Sequence, residues 1–486
     1  MTYPVVLFWA LFLWGLVSPP ATSLTLLFMA MPFGSMSMVS PDLIGGVTLM
    51  PQSIFGIALM LKVLAPAIMS LSPRLRAAMS ASQLGFLFSF LVTAILVTFL
   101  APRLFEAEAV IVPMRVTHAF ATELLAPIQA NFTQTAYLAL SVGIVFSAAL
   151  LPIGREVPGQ FLSAVLLGGA VAVGTGLLDQ AATSSGMADR LEPFRNATYA
   201  LMTNAEVQGT RRVVGLMAEA SSYGGLCVGL ASTLAFLRPL YPAGRPRQRA
   251  TIVTLLLIWM AYQSTSSAAF GGLAVFAAVY FVQRTLRLLS PSGVTPDTMW
   301  EFAAGVGGVI VVLALVTFQP DVFTPLLNLI DELIFHKSNT GSYVERSMWN
   351  TVSLDAVWAT YGLGVGLGST RTSNWFIAII SSTGVLGASL LGAFLVQTLL
   401  RRAWPGRPQA SEMATALKLS LVPHLAVMGV AGSNPDFGLL NAIVFGTITA
   451  LARPAGLVPS GRRIGPLSVE TRWRPGRFGR LGKRPM

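Results

Sequence analysis

The sequence predicts an all-α, polytopic integral membrane protein, and three observations carry that prediction. The chain of 486 residues is 54% hydrophobic and 11% charged, with a mean hydropathy of +0.68. Its apolar residues fall in runs long enough to cross ~30 Å of hydrocarbon. No strict period-two alternation marks a barrel, so peptide groups placed in lipid must be satisfied within helices.

Taken in order, the runs place spans near residues 4–18, 21–38, 50–70, 82–100, 134–151, 160–178 and 213–237. The stretch 250–283 is too long for one crossing and is broken by Gln263, Ser264, Thr265, Ser266 and Ser267, so it reads as two short spans. Further spans fall near 300–318, 375–398, 412–430 and 437–452, for a total of about 12 or 13 helices. The first run lacks a basic leader and a small-residue cleavage site, and is expected to be a retained span. Residues 1–452 form one membrane domain, and 453–486 form a basic tail rich in glycine and proline, expected to be disordered and cytoplasmic.

The net charge of +12 is no argument for nucleic acid, because the basic residues sit in short connections and in the tail. Arg74, Arg76, Arg155, Arg238, Arg245, Arg247, Arg249, Arg284, Arg287, Arg401, Arg402 and Arg407 all fall on one side of the predicted spans, which makes that side cytoplasmic. The opposite side receives three longer loops, at about 101–133, 179–212 and 319–374, expected to face the periplasm of a bacterial inner membrane. The single cysteine, Cys227, lies in an apolar run and reads as a packing residue; no disulfide and no cysteine-based metal site is expected.

Arginines on the outer side run against the topology rule, so each needs another reason to be there. Arg190, Arg195, Arg211, Arg212, Arg346 and Arg371 form this set. A guanidinium offers a planar fork for phosphate oxygens and keeps its charge when partly desolvated. Two stretches concentrate them. In Gly209 to Gly224, Arg211 and Arg212 precede a predicted helix, and Glu219 falls about two turns deeper along it. A carboxylate so placed is either a structural partner for an arginine or a tuned base. In Gly341 to Leu390, Glu345 and Arg346 are followed by Trp349, the glycine run Gly362, Gly364, Gly366 and Gly368, then Arg371 and Asn374. The glycines allow either a flexible loop or a close backbone approach. Trp349, Trp358, Tyr361, Trp375 and Phe376 read as interface anchors or as platforms for sugar faces. His118, His336 and His424 read as structural or solvated.

Taken together, R-x-x-G-x-x-x-E-x-S over Arg212 to Ser221, the Ser266–Ser267 step, and R-x-x-W, G-x-G-x-G-S, N-W-F and T-G-x-x-G between Arg346 and Gly387 resemble the O-antigen polymerase and ligase superfamily. The resemblance covers roughly residues 130–450. It implies a metal-independent inverting glycosyltransferase of the GT-C type, without a cofactor, acting on sugars carried by polyprenyl diphosphate, with a long periplasmic loop before the signature helix. By the same resemblance Arg212 and Arg346 hold the diphosphate, Glu219 lies near the acceptor and Asn374 shapes the loop-to-helix junction. Arg211 and Arg371 join the diphosphate set, with Glu345 and Trp349 shaping the substrate site; Glu219 and Arg346 are the catalytic pair. Ser373 stands where ligases of the family carry a histidine, which favours a polymerase of O-antigen or exopolysaccharide type. The expected partners are the lipid-linked oligosaccharide, the bilayer and other polysaccharide assembly or export proteins. The alternatives are a ligase, a transporter or flippase of lipid-linked saccharides, and a noncatalytic scaffold recruited through the tail.

Overall fold

The computed structural model describes residues 2–114, 120–151, 157–197, 202, 206–207, 210–289, 299, 301–303, 305–307, 341–403 and 408–452. The basic tail, most of the span expected at 300–318, residues 319–340 of the third loop, Arg155, His118 and His336 lie outside them. The described residues form helices with two short hairpins. The helices are α1 (Tyr3–Val17), α2 (Pro20–Ala30), α3 (Pro51–Met69), α4 (Pro73–Ala78), α5 (Gly85–Leu104), α6 (Gln129–Leu150) and α7 (Val157–Ser184). They continue with α8 (Ala220–Leu237), α9 (Arg245–Gln263), α10 (Ser267–Leu288), α11 (Gly341–Ala359), α12 (Trp375–Leu400), α13 (Pro408–Ala431) and α14 (Gly438–Leu451). Strands β1 (Val110–Ile111) and β2 (Glu123–Leu124) pair antiparallel, Val110 opposite Leu124. Strands β3 (Glu206–Val207) and β4 (Thr210–Arg211) pair likewise, Glu206 opposite Arg211.

Among the described residues, eight helices (α3, α5, α6, α7, α8, α10, α12 and α13) are long and apolar enough to cross a membrane, and α1, α2 and α14 are shorter apolar helices. The break expected inside 250–283 falls where the serines stand: α9 ends at Gln263 and α10 begins at Ser267. Helix α8 is the hub. Of its apolar window 89% is buried, against 22% for the peripheral α10. It packs on α7, α9, α10 and α13, while α6 packs on α3, α5 and α14, and α12 lies against α5. Small residues permit this closeness; a side chain on Gly446 of α14 would collide with the Val145 carbonyl of α6, so these two backbones touch.

The ends of the bundle are tied separately. At one end, Arg401 after α12 donates to the Gln83 and Ser82 carbonyls before α5. At the other, the loop after α2 bonds to the loop before α8 through Ser35, whose Oγ donates to Leu216 O at 2.9 Å. Trp375 Nε1 reaches Pro435 O at 3.3 Å, joining the start of α12 to the α13–α14 connection at that same end.

Three elements depart from the sequence expectation. The run at 21–38 is helical only to Ala30, because Pro32 cannot continue the hydrogen-bond ladder. Helix α2, 11 residues long, spans only ~16 Å. The α1–α2 turn ends beside α3, where Lys62 Nζ donates to the Gly15 and Ser18 carbonyls. Within the third loop, Gly341–Ala359 form helix α11. The span expected from 213 starts instead at Ala220, so Glu219 is not two turns inside a helix but the residue that precedes it. Its backbone is extended (φ −154, ψ 160).

Candidate functional site

The site lies at the bundle end that carries the long loops, and a break in α12 builds its floor. Gly384 interrupts α12 with φ 68 and ψ −177, a conformation closed to other residues. The break frees carbonyls, and the glycine run fills it. Val365 N donates to Ser381 O at 2.8 Å, Gly366 N to Ser382 O at 3.1 Å, and Val385 N to Gly362 O at 2.9 Å. Gly362, Gly364, Gly366 and Gly368 all have positive φ. Of the two readings open from sequence, close backbone approach is the one realised. Asn131 Nδ2 holds the end of the run by donating to Leu367 O at 2.7 Å.

Beyond the run, residues 370–374 are laced to α11 and to the β1 hairpin. Arg371 N donates to Val112 O at 3.0 Å, and Ser353 Oγ donates to Arg371 O at 3.2 Å. Asn350 Oδ1 accepts from Ser373 N at 3.0 Å. Asn374 then caps α12, its Oδ1 accepting from Phe376 N at 2.9 Å and Ile377 N at 3.2 Å. This satisfies amides that the first helical turn leaves unpaired.

The opposite wall is the loop between β4 and α8, and a buried carboxylate in α7 fixes it. Asp179 Oδ2 accepts from Val214 N at 2.9 Å and Gly215 N at 3.1 Å. Its Oδ1 meets Arg195 Nη2 at 3.0 Å and Arg211 Nη2 at 3.4 Å. These long-range bonds hold residues 211–215 out of helical geometry, which is why α8 starts late. They also turn Arg211 toward Asp179 and leave its neighbour Arg212 for the site. Arg212 Nε donates to Ser264 O at 3.2 Å, at the break between α9 and α10.

The structure brings Arg212, Glu219, Glu345, Arg346, Trp349 and Arg371 together from three separate parts of the sequence. Glu219 and Arg346 both act electrostatically on Arg212, and Glu219, Glu345 and Arg346 on Arg371. Burial pulls the Arg212 and Arg371 guanidiniums below their ordinary range; Glu219 pushes both back up, and Arg346 pulls both down. Among the described residues no carboxylate lies within ion-pair distance of Arg212, Arg346 or Arg371. Three guanidiniums against two carboxylates leave an excess positive charge in a half-buried place. Glu219 Oε1 is held by the hydroxyls of Ser221 and Ser222 at the N-terminus of α8. Arg371 lies with its Cζ 4.1 Å from the ring centroid of Trp349.

The other residues singled out in the sequence divide between buried and exposed positions. Trp375 is fully buried in the core, so it is neither an interface anchor nor a sugar platform. Trp358 and Tyr361 are exposed, at 77% and 87%. His424 Nδ1 pairs with Asn441 Oδ1 at 2.8 Å between α13 and α14, a structural use. Cys227 is buried and unpaired by disulfide. Sequence reasoning missed Asp179, Asn350 and Ser353, which position the site without standing out; for Asp179, a lone acid near the end of a long apolar run was the available signal. Among the described residues, no group of three or more His, Cys, Asp or Glu side chains is placed to hold a metal ion.

By length and composition of its helices, the fold defines a multi-pass membrane protein, with a cationic cluster gathered from loop residues and helix α11 at one end. No protein family matches the chain, and no curated protein does.

Proposed function

We propose that the protein joins oligosaccharide repeat units carried on a polyprenyl diphosphate, working at the periplasmic face of a bacterial inner membrane as a polymerase of O-antigen or exopolysaccharide type. The observation that supports this reading most is the convergence of Arg212, Arg346 and Arg371 around Glu219, with no carboxylate within ion-pair distance of the guanidiniums among the described residues. A lipid diphosphate is an anion that such an excess charge at the membrane end suits.

In the proposed reaction a hydroxyl oxygen of the acceptor sugar attacks the anomeric carbon of the donor. The bond from that carbon to the diphosphate oxygen breaks, and the electron pair leaves with the diphosphate. Arg212, Arg346 and Arg371 stabilise the charge that develops there. Glu219, oriented by Ser221 and Ser222, accepts the proton of the attacking hydroxyl.

The break in α12 at Gly384 favours a second reading, a transporter of lipid-linked saccharides, since broken helices line many transport sites. Three backbone groups at that break are already bonded to the glycine run, which ranks this reading second. A ligase shares the site chemistry and differs in its acceptor.

The test is the purified protein in nanodiscs with a lipid-diphosphate-linked repeat unit, products resolved by chain length, beside Arg346→Ala. A ladder made by the unaltered protein alone supports polymerisation. Transfer only to lipid A or to a protein indicates a ligase. Substrate crossing the bilayer without bond formation indicates a transporter.

A further inference from the structure

Trp349 carries a buried donor that none of the described residues uses. The residue is 7% exposed, and its indole Nε1 has no hydrogen-bond acceptor among the described residues. Leaving a buried N–H unmatched costs on the order of 1–3 kcal/mol, so such a group in a well-bonded region asks for an explanation. The region is well bonded. One residue on, Asn350 is engaged with Ser373 through both ends of its amide. One turn on, Ser353 is engaged with Thr370 and Arg371. The backbone of Arg371 is satisfied on both sides, by Val112 O and by Ser353 Oγ.

The orphaned N–H sits on the edge of the ring that the Arg371 guanidinium covers. Stacking of this kind orients the fork and leaves its in-plane N–H groups free to bind. The pair therefore presents two sets of donors side by side, in a place where Arg346 adds a second positive group. The covered ring face is closed to a sugar, so the stacking role weighed for Trp349 does not fit this arrangement.

We infer that Trp349 and Arg371 form one composite anion receptor, in which the indole N–H and the guanidinium fork bind oxygens of the same polyprenyl diphosphate. The inference rests on the diphosphate reading above and adds to it a neutral donor that recognises the phosphate itself. Trp349 has two separable functions here: its ring holds Arg371, and its N–H contacts the anion.

The experiment uses the full chain in nanodiscs, with tryptophan indoles labelled with ¹⁵N, and farnesyl diphosphate as probe against farnesol. Trp349→Phe assigns the resonance; it keeps a ring under Arg371 and removes the N–H. We expect farnesyl diphosphate, and not farnesol, to move the Trp349 indole signal downfield. Titration should show Trp349→Phe binding the diphosphate about tenfold or more weakly, as for loss of one hydrogen bond to a charged group. If the unaltered protein binds the diphosphate while the Trp349 signal stays still, the receptor inference is overturned and the diphosphate reading stands. If it binds farnesyl diphosphate no better than farnesol, both fall. Where the phenylalanine variant does not fold, the Trp349 signal is assigned by elimination instead, from phenylalanine variants of the other eight tryptophans, and its response in the unaltered protein still decides the matter.

Discussion

Gly364 and Gly384 meet backbone to backbone: a Cβ on Gly364 would lie 2.5 Å from Gly384 N. A Cβ on Gly384 would collide with the Gly362 and Leu363 carbonyls. Both have positive φ, 84° and 68°. Gly384→Ala therefore adds a steric clash to a strained backbone, and the loss should be on the order of 3 kcal/mol or more. Thermal unfolding in detergent checks this. Gly392→Ala, in the same helix with nothing within 4 Å of the added atom, is the control and should leave the melting temperature unchanged.

Asp179 is the second structural keystone. Its side chain and that of Arg195 are 2% and 3% exposed. Removing one partner of a buried pair leaves the other charge uncompensated, at a cost of about 3–5 kcal/mol. Asp179→Ala also frees two amides, Val214 N and Gly215 N. We expect a lower melting temperature and faster limited proteolysis within 195–219. Cleavage at the native rate would mean that the loop is held by other contacts.

How much of this was legible in the sequence depends on the range of the interaction. The apolar helices follow from local composition, and so does the α9–α10 break, where serines interrupt an apolar run. The outer arginines stood out because topology gives them no reason to be there. The start of α8 was not legible, since residues 213–219 continue the apolar pattern and are kept from coiling by bonds to distant partners, among them Asp179, Ser35 and Gln263. Helix α11 was hidden by its mixed polarity; one face carries Trp349 and Ser353, both buried, while Trp358 is exposed. The division of labour between Arg211 and Arg212 is likewise set by a distant partner.

That division gives a contrast between neighbours. Arg211 pairs with Asp179 at 3.4 Å, a contact that lysine can keep as a point charge. Arg212 faces the cluster, where a bidentate fork is the useful shape. Arg211→Lys should leave polymer-forming activity within about threefold, whereas Arg212→Lys and Arg346→Lys should each lower it by about tenfold or more. Equal losses at Arg211 and Arg212 would place both in the same role.

Lys62 supports a different part of the frame. In α3 it donates to Gly15 O and Ser18 O at the α1–α2 turn, carbonyls that the end of α1 leaves without helical partners, and Gly15 O accepts from Ser23 Oγ as well. Lys62→Met keeps the apolar stem and removes the donor. The expected cost is about 1–3 kcal/mol, read as a lower melting temperature in nanodiscs. An unchanged value would mean that water reaches the turn.

The connection between α13 and α14 should make stability depend on pH through Asp436. Burial pushes its carboxyl above the ordinary range, while the Gly438 amide, which donates to Asp436 Oδ1 at 3.2 Å, pulls it back. In the unfolded chain the group titrates near 3.8. As pH rises past that value the unfolded chain releases the proton while the folded one still holds it, so stability falls with rising pH until the folded value is passed. Above that point the penalty is fully present. Asp436→Asn mimics the protonated group at every pH, so it should raise the melting temperature at pH 8 and change it little at pH 4. Paired melts of the two proteins across that range check the sign. A variant less stable at pH 8 would show instead that the ionised carboxylate is the form the fold prefers.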